Sequence, residues 1–299
     1  MEYNYGKLKE IISDVTGDGK LLVIQPGGNY GDYLIYEGFD RIMSEISVDR
    51  IEFSEQEFRH DGFRGSIPSM NPTTNILWLL NQLKHIKHRL TSSPSAIYIH
   101  GGGNFNDIWS IGVHCYQSAA RFFNCPIIVG PQSCRFNSTD VNDIFKNNTN
   151  ETYFFCREEY SYEIIKNNTS GLDHVNTIMS HDTALYLDRT NLPLPESSNN
   201  YTLLAFRPDR ESCDPTNRDS LTPPIKSRDI SQAESSYHNF IAAGENAEII
   251  HTDRLHGAIL GVILNKTVKF YDNSYHKNRG VYEHSLANNA KVEFKYVRG

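Results

Sequence analysis

The chain has 299 residues, of which 38% are hydrophobic and 22% charged. That is an ordinary globular composition rather than a disordered one, and the length allows one or two domains. The formal net charge of −7 argues against a general nucleic-acid binder, so any cationic site has to be a local cluster.

The opening stretch, "MEYNYGKLKEIISDVTGDGK", shows no basic start followed by an apolar run. No apolar run approaches the roughly 18 residues of a spanning helix, so a cytoplasmic chain is expected. "KLLVIQ" (20–25) is an apolar run that ends in glycines, the pattern of a buried parallel strand. After Asp32, the residues Ile35, Phe39, Ile42, Met43 and Ile46 share one face of a helix. "SAIYIH" (95–100) predicts the same strand–glycine–helix arrangement a second time. "CPIIVGPQS" (125–133) reads as a strand ending in a turn, "TYFFCREE" (152–159) as a strand entering a helix, and "VNTIMSHD" (175–182) as a short strand.

"YLDRTNLPLPESSNN" (186–200) is the candidate linker, with prolines and small polar residues. A new strand, "YTLLAFR" (201–207), follows, and 211–230 reads as a polar loop. "AEIIHT" (247–252) is a strand; the helix after it aligns Leu255, Ala258, Ile259, Val262 and Ile263, and "KTVKFYD" (266–272) is a further strand. Alternating elements predict an α/β protein with parallel sheet, in two Rossmann-like lobes, residues 1–190 and 200–299. Cys115, Cys125, Cys134, Cys156 and Cys213 are odd in number and form no C-x-x-C pair. They read as free thiols of a reducing compartment. The Asn-x-Ser/Thr triplets, such as "NST" at 137–139, read as chance in an Asn-rich chain.

Two stretches echo each other: "PGGNYGDYLIY" (26–36) and "HGGGNFNDIWS" (100–110), with Asn29 matching Asn104, Tyr30 matching Phe105 and Asp32 matching Asp107. At the carboxyl ends of parallel strands such turns face a ligand crevice, and a helix start offers free N–H groups to an anion. The competing reading is turn and cap chemistry alone. Neither stretch is a dinucleotide fingerprint, and no Walker motif, metal-ligand spacing or G-x-S-x-G elbow occurs.

"HTDRLHGAILG" (251–261) gathers Asp253, Arg254 and His256 where a strand ends and a helix begins. Arg254 supplies a planar fork for carboxylate or phosphate, and His256 either binds an anion as imidazolium or moves a proton near neutral pH. The alternative is that Asp253 caps the helix and pairs with Arg254. "AFRPDRE" (205–211) offers Arg207, with Arg210 as the neighbouring choice, as a second arginine for the same anion. "YDNSYHKNRG" (271–280) adds His276, Lys277 and Arg279, which read equally well as a polar surface loop. Gln132 and Ser133 of "GPQS" and Arg157 of "CREEYS" suit a sugar and an acid respectively, or serve local structure.

In order, "GNYGD" (28–32), "HGGGNFNDIW" (100–109), "GPQS" (130–133), "CREEYS" (156–161), "FRPDRE" (206–211), "TDRLHG" (252–257) and "DNSYHKNRG" (272–280) resemble the polysaccharide pyruvyl transferase family over about 25–285. Each piece is short and the ordered set is specific. One departure is Asn106, where the family's second motif usually has Gly; acceptor choice is expected to be set there. The loop at 211–230 matches no part of the pattern.

The resemblance implies a two-lobed arrangement like that of GT-B glycosyltransferases, with the active site between lobes. It implies transfer of a pyruvyl group from phosphoenolpyruvate to two hydroxyls of one sugar, in a polysaccharide or its lipid-linked precursor, as in exopolysaccharide, capsule or cell-wall synthesis. Arg254 and His256, with backbone contact from Leu255, would hold the donor, joined by Arg207. Asn29, Asn104, Gln132, Ser133, Arg157, His276 and Lys277 would line the acceptor side or the cleft. His256 would be the acid or would assist phosphate departure, and Asp32 or Asp107 would be the base and acceptor-holder. The scheme needs no metal or other cofactor, since phosphoenolpyruvate is a co-substrate. A lipid-linked acceptor would imply peripheral contact with the inner face of a membrane; no nucleic acid is expected. The alternatives are a nucleotide-sugar glycosyltransferase of GT-B type and a non-catalytic sugar- or anion-binding relative.

Overall fold

Apolar runs flanked by helices leave their backbone groups to pair with other strands, and here they do so in two parallel sheets. A computed structural model of the chain describes residues 3–54, 93–195, 200–212 and 225–296. The first series is α1 (Gly6–Thr16), β1 (Lys20–Gln25), α2 (Tyr30–Met43), β2 (Asp49–Ser54), β3 (Ala96–Ile99), β4 (Gly102–Asn106), α3 (Ile111–Phe122), β5 (Ile127–Arg135), α4 (Val141–Phe145), β6 (Thr152–Cys156), α5 (Glu159–Asn168) and β7 (Val175–Met179). Two 3-10 turns follow, Thr183–Tyr186 and Arg189–Asn191. The second series is β8 (Tyr201–Ala205), β9 (Ile225–Ser227), α6 (Ile230–Ala233), α7 (Tyr237–Glu245), β10 (Ala247–Thr252), α8 (Leu255–Ile263), β11 (Thr267–Tyr271), α9 (Lys277–Val281), a π-helical turn (Tyr282–Leu286) and β12 (Val292–Lys295).

The first sheet runs β2-β1-β3-β5-β6-β7, with β4 beside the distal half of β5, and the second runs β12-β11-β10-β8-β9. Every described strand pair is parallel. Side chains alternate across β1, as the strand period requires. Leu22 and Ile24 enter one core with Val113, Tyr116 and Phe145. Leu21 and Val23 enter another with Leu8 and Ile12 of α1 and Phe39 and Ile42 of α2. The second sheet has its own core, around Leu203, Ile250, Val268 and Phe270, which also takes in Leu34 of α2 and Leu185, Leu187 and Leu192. Helix α2 therefore belongs to both.

The two glycine stretches do not fold alike. The first turns directly into α2. In the second, residues 102–106 form strand β4, paired Gly102↔Gln132 and Phe105↔Cys134, and α3 begins only at Ile111. Phe105 is fully buried, its ring 4.9 Å from that of Phe154, and that burial favours the extended strand over a helix start. The stretch expected as a loop at 211–230 contains edge strand β9 and the start of α6, while 213–224, with Cys213, lie outside the described residues. Helices α1 and α7 and strands β2 and β12 were not among the sequence expectations. Among the described residues no helix is long and apolar enough to cross a membrane.

Gly38 brings α2 against the Thr183 turn: a Cβ there would lie 2.0 Å from the Thr183 carbonyl oxygen. Thr183 Oγ1 in turn donates to the Ile35 carbonyl at 3.0 Å. A backbone oxygen cannot swing aside, so Gly38→Ala is expected to cost about 1–3 kcal/mol or prevent folding. Gly171→Ala, where nothing lies within 4 Å, is the control. Urea unfolding of the two variants checks this; equal stabilities would refute the contact.

Candidate active site

The strand ends carrying the quoted motifs meet at one cavity of about 600 Å³. Its first wall is the start of α2. Asn29 and Asp32 cap that helix reciprocally: Asn29 Oδ1 accepts from Gly31 N at 2.8 Å, and Asp32 Oδ2 accepts from Asn29 N at 2.9 Å. The opposing wall is the start of α8. Thr252 Oγ1 accepts from Arg254 N at 3.0 Å and donates to the Ala205 carbonyl at 2.7 Å, tying the ends of β10 and β8 together. The two helix starts approach so closely that a Cβ on Gly31 would stand 2.7 Å from Cβ of His256.

His256 lies between two carboxylates. Its Nδ1 is 3.6 Å from Asp32 Oδ1 and its Nε2 is 3.4 Å from Asp182 Oδ2. Asp182 and its partner Arg157 are both almost wholly buried, with Arg157 Nη1 2.5 Å from Asp182 Oδ2. Burial opposes ionisation of Asp182, but Arg157 and His256 outweigh it and hold the carboxyl well below the usual range.

The cations of the second wall are held by acids. Arg207 forks onto Asp209, Nε at 2.6 Å and Nη2 at 2.9 Å, and its Nη1 reaches Glu211. Arg254 forks onto Asp229, with Nε at 2.6 Å, and its Nη2 also stands 3.5 Å from Asp209. Lys277 donates to Glu211. Burial pulls the Lys277 ammonium down to about 8, with Glu211 acting against it. Burial likewise opposes ionisation of Glu211, but Lys277 and Arg207 keep its carboxyl below the usual range.

Asp32, Asn29, Asn104, Arg157, Arg207, Arg254, Leu255, His256 and Lys277 all line the cavity. Arg210 is exposed and does not. The alternative reading, in which Asp253 caps the helix and pairs with Arg254, gives way to other partners: Asp253 Oδ1 accepts from Arg207 N at 2.8 Å, and Arg254 itself occupies the cap position. Gln132 and Ser133 stand behind the wall, buried, Gln132 donating to Asn104 Oδ1 at 3.1 Å and Ser133 accepting from Arg157 Nε at 2.8 Å.

Two expected site residues point elsewhere. Asp107 Oδ2 accepts from Asn137 N at 2.6 Å and Ser138 N at 2.8 Å, outside the cavity lining. Slight burial opposes its ionisation, yet bonds from Thr139 and those backbone groups hold the carboxyl down to about 2. Asp107 holds a turn together because β4 carries it past the cavity, whereas Asp32, the other carboxylate of the echo, lines it. His276 also lies off the cavity, stacked on Tyr160 at 5.2 Å with Nε2 3.7 Å from Glu158 Oε1. Burial lowers its imidazole to about 4. Sequence reasoning passed over Asp182, Asp209, Glu211 and Asp229. The available signal was a carboxylate just beyond a strand end, at Asp182 after β7 and at Asp209 and Glu211 after β8.

Removing one member of a buried ion pair leaves the other uncompensated. Asp182→Asn is expected to cost about 3–5 kcal/mol of unfolding free energy at neutral pH. A carboxyl depressed in the fold stabilises fully above its unfolded value and loses that contribution as pH falls. The gap between wild type and variant should thus narrow below about pH 4. Urea unfolding at pH 7 and pH 3 tests the sign; a constant gap would contradict it.

The chain is similar, over 99% of its length and 100% of the other's, to a functionally uncharacterised protein from Klebsiella pneumoniae, with 23% identity and a TM-score of 0.69. That likeness is one of fold. UDP-GlcNAc 2-epimerase from Methanocaldococcus jannaschii is matched at 13% identity, 93% of this chain and 89% of that one, with a TM-score of 0.47. No curated protein matches. The model of the family described as polysaccharide pyruvyl transferase matches residues 29–275, from the Asn29 cap to the residue before His276. The chain belongs to the polysaccharide pyruvyl transferase family, which supports a transferase role in pyruvyl transfer to a saccharide.

Proposed function

We propose that the chain moves a pyruvyl group from phosphoenolpyruvate to two hydroxyls of one sugar, leaving a cyclic ketal and inorganic phosphate. The observation that carries this reading is the convergence of Arg207, Arg254, His256 and Lys277 on one cavity. Phosphoenolpyruvate packs a carboxylate and a phosphate onto three carbons, and forked guanidiniums suit so dense an anion. In this reading the two sheets belong to lobes arranged as in GT-B enzymes, residues 1–190 facing the acceptor and 200–299 the donor.

The reaction balances as follows. The donor's methylene carbon gains a proton, making C2 electrophilic. One hydroxyl oxygen bonds to C2, the C2–O bond to phosphate breaks, and the second hydroxyl closes the ring. Of the two hydroxyl protons lost, one offsets that taken by the methylene and the other leaves with phosphate or solvent. His256 gives the proton to the methylene or to the departing phosphate; Asp32, beside its Nδ1, receives one from the hydroxyl. Arg207 and Arg254 stabilise charge on the leaving group, and the α8 start adds positive potential. A lipid-linked acceptor would bring the protein to the cytoplasmic face of a membrane.

Phosphate release from phosphoenolpyruvate, measured with a panel of free and lipid-linked saccharides, tests the reading. His256→Ala is expected to lower kcat by about 100-fold or more; near-normal turnover would remove His256 from the chemistry. Phosphoenolpyruvate should raise the melting temperature and UDP- or GDP-sugars should not; stabilisation by nucleotide sugars alone would overturn the donor assignment. Arg254→Lys keeps the charge and loses the fork, so the KM for phosphoenolpyruvate should rise by about tenfold or more. An unchanged KM would place the donor away from Arg254.

A further inference from the structure

Trp109 is partly exposed, yet fixed at its ring nitrogen. Its turn is built by Asn106, a buried residue whose Oδ1 accepts from Ile108 N at 2.8 Å and Trp109 N at 2.7 Å while its Nδ2 donates to the Gly103 carbonyl at 2.8 Å. The indole Nε1 then donates to Glu211 Oε1 at 2.7 Å, across 102 residues of sequence. Glu211 is 1% exposed and is itself held by Arg207 and Lys277. Yet the tryptophan remains 38% exposed and lines the cavity. An indole anchored through its backbone and its ring nitrogen is not exposed through looseness; more than a third of it is left open on the cavity wall.

A second ring faces the same cavity. Tyr33 is 47% exposed. Its position is set by neighbouring rings, with centroids 6.0 Å from Tyr30, 5.9 Å from Tyr36 and 5.7 Å from Tyr237. Polar groups of Asn29, Asn104 and Gln232 lie on the cavity wall with them. A flat apolar face rimmed by amides matches a molecule with an apolar face and a polar rim. A pyranose ring is that molecule: its axial C–H bonds pack on the negative face of an aromatic ring while its equatorial hydroxyls reach the rim. The donor anion has no such face; the cations that suit it include Arg207 and Lys277, which meet Glu211 next to the indole's edge.

We propose that Trp109 is the stacking platform for the acceptor's pyranose ring, with Tyr33 as the second aromatic wall, and that Asn106 and Glu211 are positioning residues that set the indole's tilt. The inference rests on the pyruvyl-transfer reading for calling that ring the acceptor. Ring tilt decides which pair of hydroxyls points toward the donor, so the Asn106 turn sets acceptor choice through Trp109.

The test titrates methyl glycosides of glucose, galactose, mannose, N-acetylglucosamine and N-acetylmannosamine into the protein and follows tryptophan emission. At least one should change the emission saturably in wild type. In Trp109→Phe that change should vanish, while activity-monitored binding weakens only modestly. Trp109→Ala should raise the acceptor's Kd about tenfold, the scale of one aromatic stacking contact. Its phosphoenolpyruvate thermal shift should be unmoved, which also shows that the variant is folded. Asn106→Gly should change the rank order of the glycosides. The platform is overturned if no glycoside perturbs Trp109, if uridine or UMP does so in their place, or if Trp109→Ala binds the glycosides as wild type does. Glycoside binding without any response to phosphoenolpyruvate would sink the pyruvyl reading and leave the platform standing. Phosphoenolpyruvate turnover whose acceptor KM is untouched by Trp109→Ala would do the reverse.

Discussion

The close approach of two helix starts governs the site. Gly31 has no side chain where His256 Cβ stands 2.7 Å from the place a Cβ would take. Because of that, the imidazole reaches both Asp32 on the facing helix and Asp182, beyond β7. A helix start carries partial positive charge from unpaired N–H groups, and two facing starts repel unless anions lie near them. Asp32 answers one start as its capping residue. Asp182 does not cap α8, yet through His256 it places negative charge beside that helix. Arg157 then keeps Asp182 ionised in a place where burial alone would protonate it. The contact between the sheets and the candidate proton-transfer group are thus one structure.

The same logic explains why so many acids surround a site read as anion-binding. Arg207, Arg254 and Lys277 are nearly buried, and buried cations without partners are costly. Asp209, Asp229 and Glu211 neutralise them and also orient the forks. Oriented forks lose less entropy on meeting a ligand, which is the benefit of preorganisation. The acids also set a condition: an incoming anion must carry enough charge to share cations already paired. A phosphate with a carboxylate on a three-carbon frame meets it better than a single carboxylate. Asp209 stands at this balance point, since both arginines reach it.

How far the sequence discloses this depends on the kind of interaction. β1, β3, β6 and β10 are legible because buried parallel strands are unbroken apolar runs between polar turns. Arg254 and His256 are legible because charged residues at a strand end lack a packing reason to be there. Asp182 is not, because its meaning comes from Arg157, 25 residues earlier, and His256, 74 residues later. Glu211 is visible in "FRPDRE" as one more acid; only the fold joins it to Trp109. β2 and β12, with alternating polar residues, carry too little apolar signal to stand out, and α7 follows a polar stretch that hides its start.

The repeated glycine motif shows why matched letters are weak grounds for matched roles. Tyr30 and Phe105 occupy the same place in the echo, yet Tyr30 opens a helix and Phe105 is a fully buried strand residue. Burial of that one ring keeps the backbone extended through 106, one strand farther along β5. Asp107 is thereby carried to Asn137 and Ser138, while Asp32 stays beside His256. The echo fails for the two aspartates and holds for the two asparagines, both of which line the cavity. What replaces Asp107 on that wall is Trp109, two residues on, turned inward by Asn106. A residue that breaks the echo, Asn106, therefore contributes more to the shape of the site than the aspartate that preserves it.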